Sequence, residues 1–243
     1  MGVVPTIGTM HRREFIQACA ATCALGAHEA LAADKLKPRL YSRAQLTDES
    51  GKALQSVDLV ANRNYIFHYP FETTPCFLLN LGRPTGRDVQ LKTENGSTYQ
   101  WTGGVGPKRA IVGYSAICAH RLTYPTPQIS FISYREQSTA SRAMRANTIH
   151  CCSEHSEYDP AAGAKVVNGP APQPLSAILL EYDPKSDGLH AVGTLGGELF
   201  NAFFDKYELK LAMDYRTSKT RQPVSSRTAV RELEQFCKQQ VRC

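Results

Sequence analysis

The strongest constraint on this chain is a pair of short stretches that each carry one cysteine and one histidine. They are Cys118-Ala119-His120, and Cys152-Ser153-Glu154-His155 within the run Ile149 to Asp159. Residues 121 to 151 separate them. Two sulfurs and two ring nitrogens make a full donor set for a soft or borderline metal. To act together, the two stretches must meet as loop tips, so the elements that carry them have to pack side by side. Zinc accepts two Cys and two His tetrahedrally, yet zinc fingers usually write C-x2-4-C and then H-x3-5-H. Here each half holds one of each type. A structural zinc site stays open as the alternative reading.

A C-x-H pair followed by C-x-x-H can instead hold one iron of a 2Fe-2S centre by two sulfurs and the other by two nitrogens, a ligation that raises the potential. Downstream lies Asn168-Gly169-Pro170-Ala171-Pro172-Gln173-Pro174-Leu175. With these three pieces in order, the chain resembles the Rieske iron-sulfur proteins over roughly residues 109 to 182. The resemblance implies a 2Fe-2S cluster held by Cys118, His120, Cys152 and His155, with Gly169, Pro170 and Pro172 in a proline loop packed over it. Cys151 sits beside the second ligand; using it would make that half C-x3-H, so the resemblance keeps Cys152. In the high-potential class the second box continues Gly-Ser-x-Tyr-Asp, and this chain has Ser156-Glu157-Tyr158-Asp159 after His155, one residue short. In the family's roles, the Ser156 and Tyr158 hydroxyls donate to a bridging sulfide and a cysteine sulfur. That favours the reduced cluster and a potential in the upper half of roughly −150 to +300 mV. The disulfide clamp of cytochrome bc-type members is missing, because Thr123 and Glu154 occupy its places. Its absence resembles the dioxygenase-ferredoxin class.

The N-terminus reads as an address. His11-Arg12-Arg13-Glu14-Phe15-Ile16 opens an apolar run to Ala27, and Ala30-Leu31-Ala32 offers a small-x-small cleavage site. It resembles a twin-arginine export signal, a route that carries proteins already folded. The run is about 13 residues, short of the ~20 a spanning helix needs. The expectation is a leader over residues 1–32 and a periplasmic product, with an uncleaved anchor as the alternative. Membrane contact is expected only in that second case.

The remaining totals are those of a globular chain. At 243 residues, 42% hydrophobic and 21% charged, the composition disfavours disordered and membrane classes. The net charge is +6, of which +4 falls in residues 205 to 243. A basic patch there can dock an acidic partner or simply be solvated; no nucleic-acid motif accompanies it. Of eight cysteines, Cys19 and Cys23 lie in the leader. Cys76, Cys151, Cys237 and Cys243 are left for an oxidising compartment. Four such cysteines allow three pairings, and both Cys237 with Cys243 and Cys76 with Cys237 are open.

The fold expected is all-β: a Rieske-type sandwich over residues 33–198, with a cluster-binding subdomain from about Ser115 to Leu175. Short β-favouring runs cover Leu54 to Val60, Asn64 to Tyr69, Cys76 to Leu81, Asp88 to Lys92 and Ser97 to Trp101. Asn95-Gly96 marks a hairpin. Ala110 to Ile117 leads into the first ligand pair, Ile129 to Tyr134 reads as a strand, and Ala177 to Tyr182 pairs with Gly188 to Leu195. Trp101 reads as core or interface packing. The polar Arg135 to Asn147 reads as an exposed loop, either for recognition or slack. Residues 199–243 form a helical extension, with helix-like spacing over Leu199 to Tyr207 and Thr228 to Val241. It is either a cap on the sheet or a docking arm.

Two functions follow from different classes. The first is a one-electron carrier or electron-transfer subunit with no catalytic site of its own. Its redox partner is a protein such as an oxidoreductase large subunit or a cytochrome. The small subunit of arsenite-oxidase-like enzymes is the nearest analogy. The second is a metal-stabilised zinc module without redox activity. A hydroxylase is disfavoured, since His68, His150 and His190 form no two-His-one-carboxylate set. No C-x-x-C-H haem attachment is present.

Overall fold

The computed structural model describes residues 35–137 and 145–243. The expected leader, with Cys19 and Cys23, and the centre of the polar segment Arg135 to Asn147 lie outside the described residues. In chain order the strands are β1 (Arg39–Thr47), β2 (Tyr65–His68), β3 (Pro75–Asn80), β4 (Val89–Lys92), β5 (Thr98–Trp101), β6 (Ile111–Ser115), β7 (Ile129–Ser130), β8 (Ile132–Arg135), β9 (Thr148–Cys151), β10 (Ser156–Asp159), β11 (Lys165–Asn168), β12 (Ala177–Asp183) and β13 (Gly188–Leu195). Helix α1 (Phe200–Tyr215) follows, then β14 (Arg227–Ala229), β15 (Arg231–Glu232), the single turn α2 (Leu233–Phe236) and β16 (Gln239–Gln240). The architecture is all-β with few helices, as expected.

The main sheet has eight strands in the order β14-β1-β13-β12-β6-β3-β2-β15. Its two long edge strands, β1 and β2, are both paired to one stretch of chain. β14 runs parallel to β1 and β15 antiparallel to β2, with only Val230 between them. The Thr228 hydroxyl donates to His68 O. The sheet therefore curls until its edges share a seam, which removes the exposed ladders an open sheet would present. Alternation along the strands supplies two cores. Tyr65, Phe67, Cys76 and Leu78 face the inside with Leu46, Leu189 and Val230. Ile66, Phe77, Leu79 and Tyr114 face outward onto a second layer.

That second layer is the four-stranded sheet β11-β10-β9-β8. Its inward residues Ile132, Ile149, Cys151 and Tyr158 are fully buried against the outer face of the main sheet, together with Trp101. Trp101 is thus a core residue, tilted against Tyr114 at 6.2 Å. β4 and β5 form the hairpin expected at Asn95-Gly96, with Gly96 at φ +91°. The β12–β13 hairpin is likewise present.

Four expectations change. Leu54 to Val60 is not a strand: Ser56–Asp58 is a 3-10 turn, with the Asp58 carboxylate accepting from Gln55 N and Asp187 accepting from Val57 N. Short polar side chains there outcompete a ladder. Ile129 to Tyr134 breaks at Phe131 into β7 and β8. β1 was unforeseen, because its first half is exposed and Leu40 points to solvent, which blurs the alternation. Finally, only the first tail helix forms, extended to Tyr215. Across Thr228 to Val241 the chain is extended except for α2, since Thr228, Val230 and their neighbours complete the seam instead. Among the described residues no helix is long and apolar enough to cross a membrane.

Candidate metal centre

The second cysteine-histidine stretch is the tip of the β9–β10 hairpin. Cys151 and Ser156 are the last cross-strand pair, and Tyr158 stands opposite Ile149. Directly opposed residues share a face, as do residues two apart, so Cys151, Ser156 and Tyr158 all project the same way. The tip itself is tight: His155 N donates to Cys151 O at 2.8 Å, and His155 sits at φ +60°. The first stretch is a comparable turn after β6. Leu122 N donates to Cys118 O and Cys118 N to Thr123 O.

The two turns meet through their sulfurs. The Cys118 and Cys151 thiols, both free and buried in one core cluster, lie close enough that each shifts the other's titration. Tyr158 Oη lies 3.3 Å from Cys118 Sγ and 3.2 Å from Ala119 N. Because the Ala119 N–H donates to the phenol oxygen, the phenol proton is left for the sulfur. Donation from Cys151, Tyr158 and nearby backbone outweighs burial and pulls the Cys118 thiol down to about 6. Cys151, which donates to that sulfur and is buried beside it, is pushed up. Burial and the Cys118 charge push Tyr158 up. The pocket thus favours a single negative charge, on Cys118, with Cys151 and Tyr158 as its neutral neighbours.

The nitrogen donors flank this pair in sequence. His120 Nδ1 is buried without a hydrogen-bond partner, and His155 Nδ1 is buried too, while both rings are part exposed. Ser156 Oγ is fully buried and also lacks a partner. Buried polar atoms are nearly always satisfied. The unpartnered atoms of His120 and Ser156 belong to the same two turns as the buried thiols, so polar groups there are available to a bound group. Cys118, Cys151, His120 and His155 thus fit a binuclear centre that takes two sulfurs on one side and two nitrogens on the other. Among the described residues no three His, Cys, Asp or Glu converge on a single point.

Cys152, expected as the second sulfur ligand, is instead disulfide-bonded to Cys243. Strand alternation turns neighbours to opposite faces, and it is Cys151 that faces Cys118. Neither pairing left open in the sequence forms, as Cys76 and Cys237 are buried free thiols. The proline-rich loop packs against the second turn. Gly169, at φ +85°, packs on His155 and Ser156, where a Cβ would stand 2.4 Å from His155 O. Ala171 and Leu175 join the core around Cys118, whereas Pro170 and Pro172 face solvent. Gln173 ties the loop down by accepting from Glu94 N and donating to Gly197 O. In the place of a disulfide clamp, Glu154 approaches Arg121 at 4.0 Å, an exposed pair of small energetic weight.

The extension supports the site from beneath. Phe200, Phe203, Phe204 and Leu211 of α1 pack with Ile117 and Tyr124, the residues flanking the first turn. Lys206 Nζ donates to Arg121 O at 2.8 Å.

No protein-family model matches the chain. Among solved structures the chain is similar to the soluble domain of the Rieske protein II (soxF) from Sulfolobus acidocaldarius, with 26% identity, 63% of this chain and 78% of that one covered, and a TM-score of 0.42.

Proposed function

We propose that this chain is a Rieske-type electron-transfer protein whose 2Fe-2S cluster is held by Cys118, Cys151, His120 and His155. The observation that carries the reading is the buried Cys118–Cys151 thiol pair with the Tyr158 hydroxyl directed at it. When bound, the cluster takes up and returns one electron. The chain's own residues do the rest. Cys118 and Cys151 would supply the two thiolates, of which Cys118 is the one the surroundings already favour, and Tyr158 donates to the Cys118 sulfur. The Ser156 hydroxyl, buried and unpartnered, is free to donate inward. Core packing of Ala171 and Leu175 keeps water off the sulfur side, and the part-exposed His120 and His155 rings form the edge from which an electron leaves.

The leader-like N-terminus supports a periplasmic location after twin-arginine export. The resemblance supports a subunit or partner of a larger respiratory oxidoreductase, as in arsenite-oxidase-like enzymes, passing electrons toward a cytochrome. The test is low-temperature EPR after ascorbate reduction, with iron and acid-labile sulfide assayed on the same sample. Two irons and two sulfides per chain with a Rieske signal are expected. A colourless protein holding zinc overturns the reading in favour of a structural module.

A further inference from the structure

We infer that the Cys152–Cys243 disulfide decides which of two adjacent cysteines becomes the cluster ligand, by holding Cys152 on the outer side so that Cys151 alone presents sulfur to Cys118. The inference rests on the cluster reading above. Cys151 and Cys152 offer two sulfurs at one hairpin tip, with three and two residues respectively between them and His155. A one-residue slip of a strand exchanges its two faces, so a slip at β9 would swap Cys152 for Cys151. The inward register is held by the pairing of Cys151 with Ser156 and Ile132, but these are the last pairs before the tip and do not discriminate between sulfurs.

The outer thiol is removed from competition by a partner that is itself fixed. β16 pairs in parallel with β7, Val241 N donates to Ser130 O, and the Arg135 guanidinium donates to Val241 O. Cys152 N also donates to Phe131 O, between β7 and β8. Cys243 is therefore presented on the side of the tip away from Cys118. The disulfide joins residues 91 apart and places a covalent bond one residue from the proposed ligand. Cys152 and Cys243 are positioning residues: neither sulfur is offered to the cluster, and both act through Cys151.

The experiment compares wild type, Cys243→Ser and the double variant Cys152→Ser with Cys243→Ser, each as cluster-bearing protein. Native samples are alkylated with iodoacetamide, unfolded without reductant and mapped by tandem mass spectrometry, and EPR is recorded in parallel. Wild type is expected to show a Cys152–Cys243 crosslink, no label at Cys151 and one EPR species. In Cys243→Ser the label divides between Cys151 and Cys152 and the EPR signal splits in two; the double variant, lacking the competitor, returns to one species. Where Cys243→Ser fails to accumulate, dithiothreitol reduction of the wild-type holoprotein frees the same thiol and is read in the same way. Label confined to Cys152 with an unchanged EPR signal, or a wild-type crosslink through Cys151, overturns the inference while leaving the cluster in place. Wild-type protein without iron and sulfide overturns the cluster reading and this inference together.

Discussion

The Tyr158 hydroxyl stands between the Cys118 sulfur, at 3.3 Å, and the Ala119 N–H, at 3.2 Å, so it accepts from the amide and donates to the sulfur. This donation is stronger when the sulfur carries more charge, as it does with a reduced cluster. Tyr158→Phe removes it without disturbing the packing of a side chain that is fully buried. The midpoint potential is expected to fall by about 60 mV, the one-electron equivalent of ~1.4 kcal/mol. An EPR-monitored redox titration checks this; an unchanged midpoint means that the hydroxyl serves the Ala119 backbone alone.

Gly169 tests whether the proline loop holds the second turn in place. An alanine there is strained by φ +85° and drives its Cβ into His155 O and Ser156 Cα. Gly51 has nearly the same φ, +86°, with nothing within 4 Å of a Cβ. Gly51→Ala therefore reports the backbone strain alone, about 1–2 kcal/mol. Gly169→Ala is expected to cost more than this in thermal unfolding and to release iron faster at a temperature where both variants remain folded. Equal release rates would show that the loop covers the site without holding it.

Much of the proposed site is legible in the sequence, because candidate ligand pairs at loop tips are written in consecutive residues. The identity of the second cysteine depends on the reference point. Counted back from His155, the family spacing C-x-x-H lands on Cys152; counted back from Tyr158 through C-x-x-H-G-S-x-Y, seven residues, it lands on Cys151. The structure agrees with the second count, since Tyr158 and Cys151 are anchored in paired strands while the extra residue is absorbed in the tip at His155. A strand register is a firmer ruler than a turn. The Cys152–Cys243 bond was beyond reach for another reason: its partners lie 91 residues apart, and local pattern says nothing about which ends meet. The same holds for the tail, where Val230 fits a helical period with Leu233 and Phe236 but lies between β14 and β15 in the sheet seam, so only the single turn α2 stays helical, a tertiary demand that overrides spacing.

His68 gives the fold a pH dependence of its own, away from the Cys118–Cys151 pair. Burial, with the Arg231 charge adding to it, pushes the ring down to about 4, and its Nε2 lies 2.8 Å from the Tyr215 hydroxyl. An unfolded histidine titrates near ~6.5. The folded state thus binds fewer protons between these values, so the stabilisation is complete above ~6.5 and lost as pH falls toward 4. The slope contributed is at most about 1.4 kcal/mol per pH unit. His68→Gln is expected to lower stability at neutral pH by losing the Tyr215 contact, and to flatten the decline across that window. Burial lowers His150 and His190 as well, so a residual slope of the same sign remains. Urea unfolding at a series of pH values measures the difference, and parallel curves for the two proteins would exclude His68 as its source.

Phe203 asks whether helix α1 is part of the site or only part of the fold. Its ring is fully buried, set edge-on against Tyr124 at 4.9 Å, and the same cluster contains Ile117, the residue before Cys118. Truncation to alanine should cost about 3–5 kcal/mol, which by itself says little. Phe67, equally buried but in the core inside the curled sheet, supplies the comparison, since Phe67→Ala removes the same ring without touching either ligand turn. Both variants are expected to melt earlier by similar amounts. Only Phe203→Ala should lose iron and its EPR signal well below its own melting temperature, because the floor beneath Ile117 and Tyr124 is gone while the hairpin bearing Cys151 is intact. If iron leaves both variants only on global unfolding, the helix stabilises the sheet and the first turn holds its geometry unaided.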